Sequence, residues 1–171
     1  MTPRSGILVW CLAVVFFIAG CATSTGSKSQ LDINSPLWQG RMALTVDAFD
    51  AAGNPKKQST SAGFELRGTA ASGELRLFTP LGSTLAAIAW TPTKAVLTAR
   101  GDTREFASLQ LLLTHMLGTN IPVTTFFAWL NGQAEQAEGW QVDLSERSQG
   151  KILAQRFDPA PAAQLKLVLD Q

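Results

Sequence analysis

From residue 41 onward, apolar and polar positions alternate in short runs broken by glycine, proline and polar turns. A period of two places successive side chains on opposite faces of a strand, and regularly spaced runs of this kind mark antiparallel sheet. Residues 41–49 (RMALTVDAF) put Met42, Leu44 and Val46 on one face. Residues 50–59 (DAAGNPKKQS) read as a turn-rich hairpin loop. Residues 60–67 (TSAGFELR) then set Phe64 and Leu66 opposite Glu65 and Arg67, and residues 73–79 (GELRLFT) set Leu75 and Leu77 opposite Glu74 and Arg76. Residues 84–91 (TLAAIAWT), with Ile88 and Trp90, are more apolar than the preceding strands. Residues 94–100 (KAVLTAR), with Leu97, form a further strand, and Gly101 and Asp102 start a turn. The even spacing suggests a barrel or sandwich, not a parallel sheet.

The pattern changes at residue 108. Leucines in 108–117 (SLQLLLTHML) are too dense for alternation, so a helix is expected, with Ser108 as N-cap and Gly118 at its end. Pro122 permits a second short helix over 123–130 (VTTFFAWL), stopped by Asn131 and Gly132. The two carry a large apolar load that includes Phe126, Phe127 and Trp129. Alternation resumes in 140–146, 151–157 and 164–170. The pattern describes a curved antiparallel sheet with a late helical insertion, which either plugs the concave face or lies over it.

The first twenty residues belong to a different regime. Arg4 precedes an unbroken apolar run at 7–18, followed by Ala19 and Gly20. These are the parts of an export signal, and the run is too short for a comfortable membrane span of about 20 residues. Ile18, Ala19, Gly20 and Cys21 read as a lipobox. Cleavage before Cys21 would leave a thiol that takes a diacylglycerol and an amino group that takes a third chain. One acyl chain gives only marginal anchoring, so the several chains matter. Residues 21–36 are small and polar and read as a lipidated, flexible tether, leaving 37–171 as one domain.

Charge and composition narrow the chemistry. The chain has 14 Lys and Arg against 13 Asp and Glu, and removal of Arg4 balances them. No basic stripe is visible, which argues against nucleic acid. Cys11 leaves with the signal and Cys21 is acylated, so no thiol catalyst or disulfide framework is expected. The single histidine, His115, lacks the partners a metal site needs. No nucleophile elbow or phosphate-binding glycine loop occurs. Glu135 and Glu138 fall in a polar loop and read as solvated. Neither a catalytic site, a metal site nor a cofactor is expected.

One loop departs from the usual composition. Residues 79–84 (TPLGST) form a turn between two strands, with Pro80 and Gly82 as turn residues. Its centre carries Leu81, which either folds back on the core or protrudes.

The lipobox, Trp38-Gln39-Gly40-Arg41, Glu74-Leu75-Arg76-Leu77 running into 79–84, Leu117-Gly118 with Ile121-Pro122, Trp129-Leu130-Asn131-Gly132 and Leu165-Lys166-Leu167 occur in this order. Together they resemble the LolB family of outer-membrane lipoprotein receptors. The resemblance implies a mainly β fold with short α elements: an incomplete antiparallel barrel covered by short helices around a hydrophobic cavity. It implies an outer-membrane protein on the periplasmic face, lipid-anchored through Cys21. Ala22, where an aspartate would retain a lipoprotein in the inner membrane, agrees with that. The implied function is to accept acylated lipoprotein cargo from a LolA-type periplasmic carrier and insert it into outer-membrane lipid, as a monomer. In the family the loop leucine engages the membrane, which assigns that role to Leu81 between Pro80 and Gly82. Candidate residues for the acyl-chain cavity are Leu44, Phe64, Leu66, Leu75, Leu77, Ile88, Trp90, Leu97, Phe126 and Trp129, although each suits ordinary core equally well. An envelope lipoprotein holding another amphiphile, or a structural lipoprotein with a filled core, fits the same pattern of alternation.

Overall fold

The computed structural model describes residues 34–117, 121–158 and 160–171. The export signal, Cys21 and most of the tether lie outside the described residues, as does Gly118. Nine strands form a single antiparallel sheet that does not close on itself. They are β1 (Leu37–Phe49), β2 (Pro55–Gly68), β3 (Gly73–Phe78), β4 (Thr84–Thr91), β5 (Lys94–Ala99), β6 (Asp102–Phe106), β7 (Trp140–Asp143), β8 (Lys151–Arg156) and β9 (Ala163–Leu169). Two helices, α1 (Leu109–Leu117) and α2 (Val123–Leu130), fall between β6 and β7. The strand order is β6-β5-β4-β3-β2-β1-β9-β8-β7. The helices therefore connect the two edge strands of the sheet, and the chain crosses the open side as it passes from one edge to the other. The expected incomplete barrel with helical cover is the fold observed.

Alternation produces the core directly. Met42, Leu44, Phe64, Leu66, Leu75, Ile88, Trp90, Leu165 and Leu167 all come from one face of the sheet, buried or half-buried against the helices. The opposite face carries Glu65, Arg67, Glu74 and Arg76, with Arg76 paired to Glu74 at 2.7 Å. Gly40 is needed where β9 crosses close to β1: an added Cβ there would overlap the Val168 carbonyl oxygen. Gly73 leaves its space to the ring of Trp90. α1 starts where expected, with Ser108 Oγ accepting from the Leu111 amide at 3.2 Å. α2 spans the expected residues, with Pro122 at its N-cap.

The structure corrects several boundaries. β1 begins at Leu37, not at residue 41. The loop expected over 50–59 is confined to 50–54, because β2 starts at Pro55 and pairs all along β1, Pro55 opposite Phe49. Residues 55–61 are exposed on both faces, since this end of the hairpin extends past β3, and no alternation marks them. β6 has no counterpart in the sequence reading. Arg100 (φ 54°) and Gly101 (φ 87°) make the tight turn that returns the chain beside β5. A primed hairpin turn requires this left-handed pair. β6 is an edge strand, and its polar sequence DTREF is what edge protection favours. β7 stops at Asp143 instead of Glu146, where the Asp143 carboxylate accepts from the Ser145 amide at 2.8 Å and turns the chain into a short 3-10 turn.

Candidate functional site

A cavity of about 80 Å3 lies between the helices and the sheet, and every residue lining it is apolar. The sheet contributes Met42, Leu66, Leu75, Trp90 and Leu165; α1 contributes Leu109 and Leu113; Ile121, Val123, Phe126 and Phe127 complete the wall. Of the ten residues singled out from the sequence, the structure brings Leu66, Leu75, Trp90 and Phe126 to this wall. Leu44, Phe64, Ile88 and Trp129 are buried in the surrounding core. Leu77 and Leu97 are half-buried against that core and also lie off the wall. Met42, Leu109, Leu113, Ile121, Val123, Phe127 and Leu165 line it without having been singled out. Helical density had marked some of them as apolar, but no local signal says which face of a helix meets a void.

Aromatic rings build one end of the cavity. Phe127 meets Trp38 edge-on at 5.6 Å, lies 6.3 Å from Trp90 and 6.0 Å from Phe126. The indole N–H groups of Trp90, on the wall, and Trp129, in the core behind it, both find backbone partners. Trp90 Nε1 donates to the Thr69 carbonyl at 3.1 Å, and Trp129 Nε1 donates to the Glu135 carbonyl at 2.9 Å. A buried indole needs such a partner.

The loop between β3 and β4 is braced from within. Thr79 N donates to Ser83 O and Gly82 N to Thr79 O, both at 2.9 Å, and Ser83 N donates to Thr79 Oγ1 at 3.2 Å. Gly82 adopts φ 82°, which suits glycine. The result is a compact turn with Leu81 at its tip, 95% exposed. The next most exposed large apolar residue, Phe49, is 72% exposed at the end of the β1–β2 hairpin. Of the two sequence alternatives for Leu81, folding back onto the core is excluded. Leu85, at 37%, is a second exposed leucine shortly after the loop.

Ionisable groups are peripheral. Asp50 sits in the β1–β2 turn with its carboxyl held below the usual range, first by hydrogen bonds from the Asn54 amide and side chain, then from Ala52 and Gly53. Asp143 is lowered by the Ser145 hydroxyl and amide. Arg76 is raised by its hydrogen bond and charge pairing with Glu74. His115 is exposed on α1, its ring 5.4 Å from that of Phe106. No cluster of metal-ligating side chains occurs among the described residues.

The structure thus presents an apolar cavity under two helices and a separate, internally hydrogen-bonded turn that exposes a leucine. The family model described as outer membrane lipoprotein LolB matches residues 38–159. The chain belongs to the LolB family. Among curated relatives, the outer-membrane lipoprotein LolB of Bordetella pertussis is 29% identical, with 99% of this chain and 96% of the relative covered. That of Dechloromonas aromatica is 30% identical over 78% of each chain. That of Cupriavidus metallidurans is 26% identical, covering 82% of this chain and 68% of the relative. The matched span runs from Trp38 at the head of β1 through both helices and β8, so it takes in the Leu81 loop and every residue of the cavity wall except Leu165 of β9. Membership also sets the chain among outer-membrane lipoproteins of the lipoprotein-localisation pathway. The family's description is of a lipoprotein, not of an enzyme.

Proposed function

We propose that this domain receives the acyl chains of a lipoprotein from a soluble periplasmic carrier, holds them between sheet and helices, and releases them into the outer membrane. Its own lipid, on Cys21, would keep it on the periplasmic face of that membrane. The observation that carries the reading is the wholly apolar wall shared by sheet and helices. Each methylene moved out of water gains about 0.8 kcal/mol, so a triacylated cysteine exposed in water would cost tens of kcal/mol. Such cargo has to pass from one apolar enclosure to another. With no phosphate-binding glycine loop in the sequence, the transfer in this reading runs downhill from carrier to receptor to bilayer.

The cavity is small. At about 80 Å3 it is smaller than the ~150 Å3 apolar void that admits a benzene molecule, and acyl chains need far more. Loading therefore requires the helices to move away from the sheet, exchanging protein–protein for protein–acyl contacts of similar apolar character.

Leu81 acts at the release step in this reading. Full insertion of one leucine contributes about 1.5–3 kcal/mol, too little to anchor a protein but enough to orient the domain and disturb the bilayer locally. Leu81→Glu is expected to fold normally and to accept cargo from the carrier, while delivery into liposomes falls severely. Delivery at the wild-type rate would remove Leu81 from the mechanism. Cys21→Ser is expected to abolish acylation. Mass spectrometry of the mature wild-type N-terminus checks the premise, since an unmodified or differently cleaved terminus contradicts it.

A further inference from the structure

Beneath the Leu81 turn lies a second concavity with a different chemistry. A cleft of about 540 Å3 opens between this turn and strands β1 and β2, and Met42, which also lines the apolar cavity, borders it. Pro80 and Gly82, which bracket Leu81 in the chain, line it together with Arg41, Ser61, Thr79 and Asp170. Leu81 itself lies outside it, pointing into solvent. Gly63 stands opposite Arg41 on β2 and contributes no side chain to the floor.

Arg41 and Asp170 both line this cleft, yet neither has an ion-pair partner among the described residues. Opposite charges that share a cleft without bridging it leave room for a ligand carrying both signs. We propose that the cleft binds the headgroup of a zwitterionic phospholipid with a primary ammonium, its phosphate on Arg41 and its ammonium on Asp170. A guanidinium fork matches phosphate oxygens, and a carboxylate accepts the hydrogens that a primary ammonium offers and a quaternary one lacks. The position fits. An apolar tip that enters hydrocarbon sets its own base at the depth of the headgroups, and Arg41 and Asp170 are at that base. The cleft thus deepens the proposed function by specifying which lipid the delivering loop meets, and it rests on the reading of Leu81 as a membrane contact.

The test uses the full acylated protein in detergent micelles doped with phosphatidylethanolamine, phosphatidylcholine or phosphatidylglycerol of identical acyl chains. Retained lipid is read by native mass spectrometry. Identical chains make any cavity binding common to all three, so differences report the headgroup. The ethanolamine lipid should be retained about two- to fivefold over the choline lipid, the range of an exposed ion pair. Asp170→Asn should abolish that preference, and Arg41→Gln should lower retention of all three. Equal retention of ethanolamine and choline lipids by the wild type overturns the proposal, as does an unchanged preference in Asp170→Asn. Selective retention of the glycerol lipid overturns the zwitterion assignment in favour of a simple anion site. Leu81→Glu separates the two readings. It should keep the headgroup preference while losing delivery. Wild-type delivery by this variant, with the preference intact, would remove the membrane finger and leave the cleft standing.

Discussion

Helices α1 and α2 cover the same sheet with opposite degrees of commitment. In α2, Phe127, Ala128, Trp129 and Leu130 are all buried, and the last two are 1% and 0% exposed. Its C-terminal end is held from outside the helix, where Arg147 Nη2 donates to the Leu130 carbonyl at 2.6 Å. A cation suits that end of a helix, where unpaired carbonyls gather. Among the described side chains of α1, only Leu112 is fully buried, while Leu111 is 56% and Met116 38% exposed. α1 rests on β5 and the edge strand β6, whereas α2 packs its rings on Trp38 and Trp90 near the middle of the sheet. The difference teaches which element is free to yield. Opening the cavity by lifting α1 breaks fewer buried contacts than lifting α2, so α1 is the element we expect to move when a chain enters.

The largest effect that bears on this comparison is expected in α2. Trp129→Ala empties a site 1% exposed and removes the indole bond to Glu135, and should lower unfolding stability by about 3–5 kcal/mol. Denaturant melts of the variant check this, and a loss near zero would mean that α2 is not the fixed element. Arg147→Ala comes next. It leaves the Leu130 carbonyl without its cationic donor, and a loss of about 1–2 kcal/mol is expected. The informative readout is hydrogen exchange, which should accelerate in the last turn of α2 and leave α1 unchanged. Equal acceleration in both helices would show that they open as one unit and erase the distinction.

Much of the fold was legible because one side of the sheet is solvated. Glu65, Arg67, Glu74 and Arg76 on that face made the alternation with Phe64, Leu66, Leu75 and Leu77 plain. Legibility failed where neither face is covered. Lys56, Lys57 and Gln58 in β2 and Thr103, Arg104 and Glu105 in β6 are held by backbone pairing, with exposed side-chain contacts added only at Thr103 and Glu105, and polarity on both faces disguised them as loop. The candidate site was legible only in part. Alternation assigns Leu44, Leu66 and Ile88 to the inner face but is silent on what lies across from them, so a wall residue such as Leu66 looked the same as core residues such as Leu44 and Ile88. Leu81 could be named as unusual but not as exposed, since its orientation is set by hydrogen bonds within the turn. Arg41 and Asp170 meet in one cleft only because Asp170 follows β9, which pairs with β1 across nearly the whole chain.

The smallest effect falls on the exposed side of α1. Leu111→Ser removes an apolar side chain that is more than half in water, so its stability change should stay within about 0.5 kcal/mol of zero. Serine is also a somewhat poorer helix former than leucine, and any loss should register first as faster amide exchange within α1. If α1 is the yielding element, this variant should take up an alkyl-chain fluorescent probe faster than the wild type at unchanged global stability, since the closed helix is slightly weakened and the cavity wall is untouched. Unchanged uptake combined with faster exchange in α1 would separate helix fraying from cavity opening, and the search for the moving part would then turn to α2.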